Sequence, residues 1–167
     1  DLGFPGPVFL CVGRVAIEKN LSAFLDLDLP GSKVIVGEGP ELAKLRAKYP
    51  KAHFLGHRPN DELAEIYASA DVFVFPSRTD TFGNVIIEAL ASGTPVAAYP
   101  VTGPIDIVGD GFGGAVSNDL REASLAALKV DRAEARERAM RYSWKACAEM
   151  FLDTVEEALG MPRRLAA

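Results

Sequence analysis

Little in this chain points to cysteine, metal or membrane chemistry. Only two cysteines occur, Cys11 in an apolar run and Cys147 far downstream. They are too few and too far apart for a disulfide framework or a metal-ligand set, so both are expected as buried thiols. No apolar run approaches the roughly 20 residues that a bilayer span needs. We expect no leader before the first apolar segment and a cytoplasmic domain. Positive charge is not in excess: 18 Lys and Arg against 23 Asp and Glu give a net charge of -5. That balance argues against nucleic acid as a general partner, although Arg14 and Lys19 can hold a phosphate locally. Internal repeats and low-complexity tracts are also missing.

What is present suits one domain. At 167 residues and 49% hydrophobic the chain can bury a core of its own, and residues 1–167 read as a single unit. It opens on Asp1 rather than Met, so we expect a piece of a longer protein. Strand and helix patterns alternate: strands at 8–12, 33–36, 52–55, 72–75, 95–98 and 114–116, with helices at 20–27, 40–48, 60–69 and 84–92 and a short helical turn near Ile105. Three more helices follow. This alternation predicts an α/β fold, a Rossmann-like doubly wound parallel sheet of about six strands with helices on both faces and helices at the C-terminus. Pro30-Gly31 reads as a turn, and Asp131-x-x-Glu134 as a capping box. Glu134/Arg138 and Glu137/Arg141, four apart, read as a solvated face. Trp144, Cys147, Phe151, Val155 and Leu159 recur at helical spacing, which predicts a core stripe or a docking face.

In such a sheet ligands bind beyond the carboxyl ends of the strands, so the loops after strands carry the functional reading. After the first strand come Gly13-Arg14 and Lys19, one flexible residue and two cations suited to a diphosphate. After the second comes Gly37-Glu38-Gly39-Pro40, and after the third Gly56-His57-Arg58. After the fourth, Asp80 and Glu88 bracket seven residues that run from a polar loop through Phe82-Gly83 into a helix. A helix start offers free N–H groups and the positive end of a dipole, which together bind anions. Side chains lean toward the helix N-terminus, so Glu88, one turn in, points back to that place. Val85, Ile86, Ile87, Ala89, Leu90 and Ala91 surround it with apolar neighbours. A buried carboxylate there would need hydrogen-bond donors, either ribose hydroxyls or a nearby Arg or amide.

These residues, taken in order, resemble a known family: the GT-B-fold retaining glycosyltransferases of glycosyltransferase family 4, also called glycosyl transferases group 1. The likeness rests on Gly13-Arg14 with Lys19-Asn20, on Val36-Gly-Glu-Gly-Pro40, on Phe54-Leu-Gly56 and on Ala70-Asp-Val-Phe-Val-Phe-Pro-Ser77. The acid-x7-acid motif leading into Glu88-Ala-Leu-Ala-Ser-Gly-Thr-Pro-Val96 completes it. It spans roughly residues 8–116 and is to the C-terminal, donor-binding domain. The resemblance implies that Asp80 binds hydroxyls of the donor sugar and Glu88 the nucleotide ribose. Arg14 and Lys19 would then neutralise the departing diphosphate. Backbone around Thr81, Phe82, Gly83, Asn84 and Val85 would hold sugar oxygens and the distal phosphate, while Gly13 and Gly37 leave room. Gly56, His57 and Arg58 would meet the base through their main chain. The donor would be a UDP-sugar or GDP-mannose, with no metal and no further cofactor. An acceptor-binding N-terminal domain would be the missing partner, the isolated chain would not transfer sugar, and peripheral membrane contact of a full-length protein stays open.

Asp80 stands where Glu is common in the family, Thr81 where Gly is frequent, and Val101-Thr-Gly-Pro-Ile-Asp106 departs from the usual Gly-Gly-x-Pro-Glu. Two look-alike motifs fail on context. Asp26-x-Asp28 has the form of a metal site but falls at a helix end, and Gly109-x-Gly111-x-x-Gly114 matches a dinucleotide fingerprint with no clear helix after it. Two other classes keep a place: one half of a non-hydrolysing nucleotide-sugar epimerase, whose acid and base residues are not identified here, and a non-catalytic nucleotide-binding module.

Overall fold

Alternate residues of each strand face opposite sides of the sheet, and here both sides are apolar. In the first strand, β1 (Val8–Val12), Val8 and Leu10 pack on one side and Phe9 and Cys11 on the other. The computed structural model describes residues 2–80, 82–109 and 111–160. After β1 come a 3-10 turn (Ile17–Lys19), α1 (Leu21–Leu25), β2 (Ser32–Val36), α2 (Leu42–Lys48), β3 (His53–Phe54), α3 (Asn60–Ser69) and β4 (Val72–Phe75). Then follow α4 (Asn84–Ala91), β5 (Val96–Ala98), α5 (Pro104–Val108), β6 (Gly114–Val116), α6 (Leu120–Ala127), α7 (Arg132–Ala139) and α8 (Trp144–Ala158).

The six strands form one sheet in the order β3-β2-β1-β4-β5-β6, and every pairing is parallel. Strand order reverses between β1 and β4, which opens a crevice at their carboxyl ends. On one face Leu10, Val34, Phe73 and Val96 meet α3, α4, α5 and α7; on the other Phe9, Ile35, Val74 and Ala97 meet α1, α2 and α6. The expected doubly wound α/β fold with helices on both faces is what the chain adopts. Phe73 is fully buried at the centre, and truncating such a ring to Ala costs about 3–5 kcal/mol.

Several local expectations shift. The third strand contracts to two residues, and α1 starts only after the 3-10 turn. The stripe on α8 is not core: Trp144 is 92% exposed, Phe151 68% and Leu159 68%. Helical periodicity marks one apolar face but does not say what covers it. Cys147 lies on this helix and is exposed, contrary to the expected buried thiol, whereas Cys11 is buried. Asp131 caps α7 as predicted, accepting from the Ala133 and Glu134 amides. Arg138, however, is no member of a solvated ladder. Its guanidinium donates to the Ile107 and Asp106 carbonyls that end α5, and Arg132 donates likewise to the Ala68 and Ala70 carbonyls that end α3.

Candidate functional site

At the carboxyl edge the exits of β1 and β2 run against each other. Gly37, at φ +133°, approaches so closely that a Cβ on it would lie 2.0 Å from the Gly13 carbonyl oxygen. Only glycine permits this. The approach allows a ladder beyond the strands: Val15 N donates to Glu38 O at 2.8 Å, Glu41 N to Val15 O at 3.1 Å, and Gly37 N to Gly56 O at 2.8 Å. Val15 and Ala16 are buried and anchor the loop. The chain then turns through the 3-10 segment, and Lys19 reaches the exit of β4.

There Lys19 Nζ donates to Asp80 Oδ1 at 2.6 Å, with the two side chains only 28% and 23% exposed. The other oxygen, Asp80 Oδ2, is buried with no hydrogen-bond partner among the described residues. An unsatisfied buried acceptor costs on the order of 1–3 kcal/mol, so this one is poised to accept. Asp80 and Lys19 line a cavity of about 480 Å³ together with Cys11, Gly13, Arg14, Ser77 and Val85. Burial pushes the Cys11 thiol on its floor up to about 12, so this thiol stays protonated and inert. Arg14 sits at the rim, largely exposed and 3.8 Å from Glu18. Such a loose surface pair leaves its fork available.

Glu88 differs from expectation. Rather than being enclosed by apolar neighbours it is exposed. Its Oε2 accepts a hydrogen bond of 3.0 Å from the hydroxyl of Tyr67, a residue only 2% exposed on α3. Burial first, and then the nearby Glu88 carboxylate, hold the Tyr67 phenol above its ordinary pKa. Tyr67 is the neighbour of Glu88 that sequence reasoning missed. Its signal was a tyrosine on the apolar face of a helix, whose hydroxyl must find a partner when the ring is buried.

Gly83, at φ +87°, is the N-cap of α4, with no side chain capping the helix start. The α4 amides therefore face outward unclaimed by side chains. Asn84 is exposed and Val85 half-buried, while Phe82 is 47% exposed and packs edge-on against Tyr142. Thr81 lies outside the described residues. Gly56 turns at φ +72°, His57 is exposed, and Arg58 engages Glu62 at 3.2 Å. Thus Gly13, Arg14, Lys19, Asp80 and Val85 share one cavity. Gly37, Gly56, His57, Arg58, Phe82, Gly83, Asn84 and Glu88 are not among its lining residues.

The two look-alike motifs fall elsewhere. Asp26 ends α1 at the opposite edge of the sheet, where it accepts from the Tyr49 hydroxyl at 2.7 Å and lies 3.7 Å from Lys48. Gly109 follows α5 and Gly114 begins β6, the reverse of the strand-to-helix order that a dinucleotide loop needs. Among the described residues no cluster of three His, Cys, Asp or Glu is placed to hold a metal ion.

Residues 6–130 match the family described as glycosyl transferases group 1. The chain belongs to this family. Among its group 1 relatives, the GDP-mannose-dependent alpha-mannosyltransferase of Mycobacterium tuberculosis is 45% identical over 104 residues, covering 61% of this chain and 28% of the relative. The enzyme of the same name from Corynebacterium glutamicum is 40% identical over 126 residues, covering 71% of this chain and 30% of the relative. The chain therefore spans under a third of the length of these relatives. Among solved structures, the lipopolysaccharide outer core galactosyltransferase WaaB superposes with a TM-score of 0.79 at 18% identity, over 95% of this chain and 51% of that one. The pneumococcal O-GlcNAc transferase GtfA, solved with UDP and GlcNAc, gives 0.70 at 24% identity over 94% and 37%. At these identities the likeness is one of fold.

Proposed function

We propose that this chain is the C-terminal, donor-binding domain of a retaining glycosyltransferase of family 4, one that transfers a hexose from a UDP-sugar or GDP-mannose. The observation that carries the reading is the buried, unpartnered Asp80 Oδ2 beside Lys19, in a cavity rimmed by Arg14. Asp80 accepts from a sugar hydroxyl, and Glu88, steadied by Tyr67, accepts from the ribose. Arg14, Lys19 and the α4 amides stabilise the charge that develops on the leaving diphosphate. The glycosidic carbon is attacked on the face the diphosphate leaves, and the departing phosphate takes the acceptor's proton. No protein-bound metal or other cofactor enters this scheme. Gly56, His57 and Arg58 present main-chain groups to the base.

The acceptor is held by a further domain, and the exposed apolar face of α8 packs against it. Hydrogen exchange in α8 should then be slower in the full-length protein than in this chain. The full-length protein is a cytoplasmic enzyme; no helix among the described residues is long and apolar enough to cross a membrane. Calorimetric titration with UDP, GDP, UDP-glucose and GDP-mannose tests the donor site. We expect one nucleotide and its sugar conjugate to bind, and Glu88→Ala to weaken both. Absence of binding at millimolar concentration for all four would remove the basis of the reading.

A further inference from the structure

The loops leaving β1 and β4 are joined by side chains to which the donor-binding scheme gives no role. Asn20 is the one non-glycine residue among those described with a positive φ, at 53° with ψ 34°. It ends the 3-10 turn and starts α1, and asparagine is one of the few residues that tolerates this left-handed conformation. Its Nδ2 donates to the carbonyl of Pro76, the first residue after β4, at 3.0 Å. A longer link runs the other way, from Ser77 Oγ to Glu18 O at 3.3 Å. Between these two ties lies Lys19, with its ammonium on Asp80.

Glycine would satisfy the same backbone at no steric cost, so the amide is what asparagine adds. We infer that Asn20 is a positioning residue: its side-chain amide pins the β4 exit to the β1 loop, and so sets the separation at which Lys19 meets Asp80 Oδ1 and leaves Oδ2 free. Lysine has four rotatable side-chain bonds, and an untethered loop would let its ammonium and the carboxylate return to water rather than hold one geometry. The pairing is a property of the unliganded chain; only its consequence for binding rests on the donor-site reading.

The test uses the whole chain labelled with 15N, observing lysine ammonium groups, with the Lys19 signal assigned by its loss in Lys19→Met. Lys33, whose ammonium donates to the Leu25 and Leu27 carbonyls, serves as the internal control. In Asn20→Gly, which keeps the left-handed turn, the Lys19 signal should vanish and the Lys33 signal remain. Affinity for whichever of UDP and GDP binds should fall about tenfold, the weight of one hydrogen bond to a positioned group. A Lys19 signal of unchanged intensity in Asn20→Gly, or none in the unaltered chain, overturns the inference. Loss of the signal in Asn20→Gly, with neither UDP nor GDP bound by the unaltered chain, would leave the clamp standing and remove the donor-site reading instead.

Discussion

Two cavities of nearly equal size, about 480 and 460 Å³, open at opposite edges of the same sheet. Both contain lysines and acids, yet their polar groups are arranged differently. At the amino edge Lys33 donates to the carbonyls of Leu25, which ends α1, and of Leu27 just beyond it, while Asp26, Lys48 and Tyr49 engage one another. At the carboxyl edge Lys19 engages one oxygen of Asp80 and leaves the other buried and unmet. Volume does not distinguish the two; unsatisfied hydrogen-bonding capacity does. One cavity is a closed piece of structure, and the other lacks a donor that a ligand would bring.

Paired substitutions can break this contrast. The largest effects should come from Gly37→Ala at one edge and Gly31→Ala at the other, since their new Cβ atoms would lie 2.0 and 2.1 Å from backbone oxygens. Each should cost about 3 kcal/mol or more in urea unfolding, but only Gly37→Ala should also abolish nucleotide binding by the folded fraction. Next, Asp80→Ala should lower affinity for a nucleotide sugar at least about tenfold while changing stability little, since losing the ion pair with Lys19 is offset by removing an orphaned buried acceptor. Lys33→Met should do the reverse: lower stability by about 1–2 kcal/mol with titrations unaffected.

The thiols sharpen the contrast further. At pH 8 an aromatic disulfide reagent should titrate Cys147 promptly and Cys11 only on unfolding. Above pH 9 the unfolded chain loses the Cys11 proton that the folded chain, with its thiol raised from 9.0 to about 12, retains. Stability should therefore fall as pH rises through this window, by about 1.4 kcal/mol per unit from this group, and Cys11→Ala should flatten that part of the slope. Smallest of all, Arg14→Ala should leave the unfolding midpoint unmoved, its pair with Glu18 being solvent-exposed, while weakening nucleotide binding by calorimetry.

Most of the fold was legible because each strand alternates between two apolar faces and each helix shows one. The parallel, doubly wound character of the sheet followed from the alternation of strands and helices, whereas the strand order β3-β2-β1-β4-β5-β6 came from the structure alone. Strand β3 was over-read because Ala52 and Leu55 extend its apolar run without extending its pairing. The α8 stripe was misread because periodicity reports a face, not its cover. Within the site, the identity of Asp80 and Lys19 could be read from the sequence, but their pairing could not. They are 61 residues apart, and the loops that carry them are tied through the left-handed turn at Asn20, whose amide donates to Pro76 O. Glu88 was expected among apolar neighbours because helix composition does not tell which residues of α4 stay exposed.

Two of the three arginines of α7, Arg132 and Arg138, carry a mechanical consequence. Arg132 holds the last carbonyls of α3 and Arg138 those of α5, and α7 packs along α4 between them. Helix α7 thus acts as a tie-bar: released at either end, it would free the last turns of α3 and α5 together and loosen the bed on which α4 lies. The four helices α3, α4, α5 and α7 should accordingly exchange their amide hydrogens as one cooperative unit. In that unit Tyr67 and Glu88, on α3 and α4, would keep or lose their alignment together.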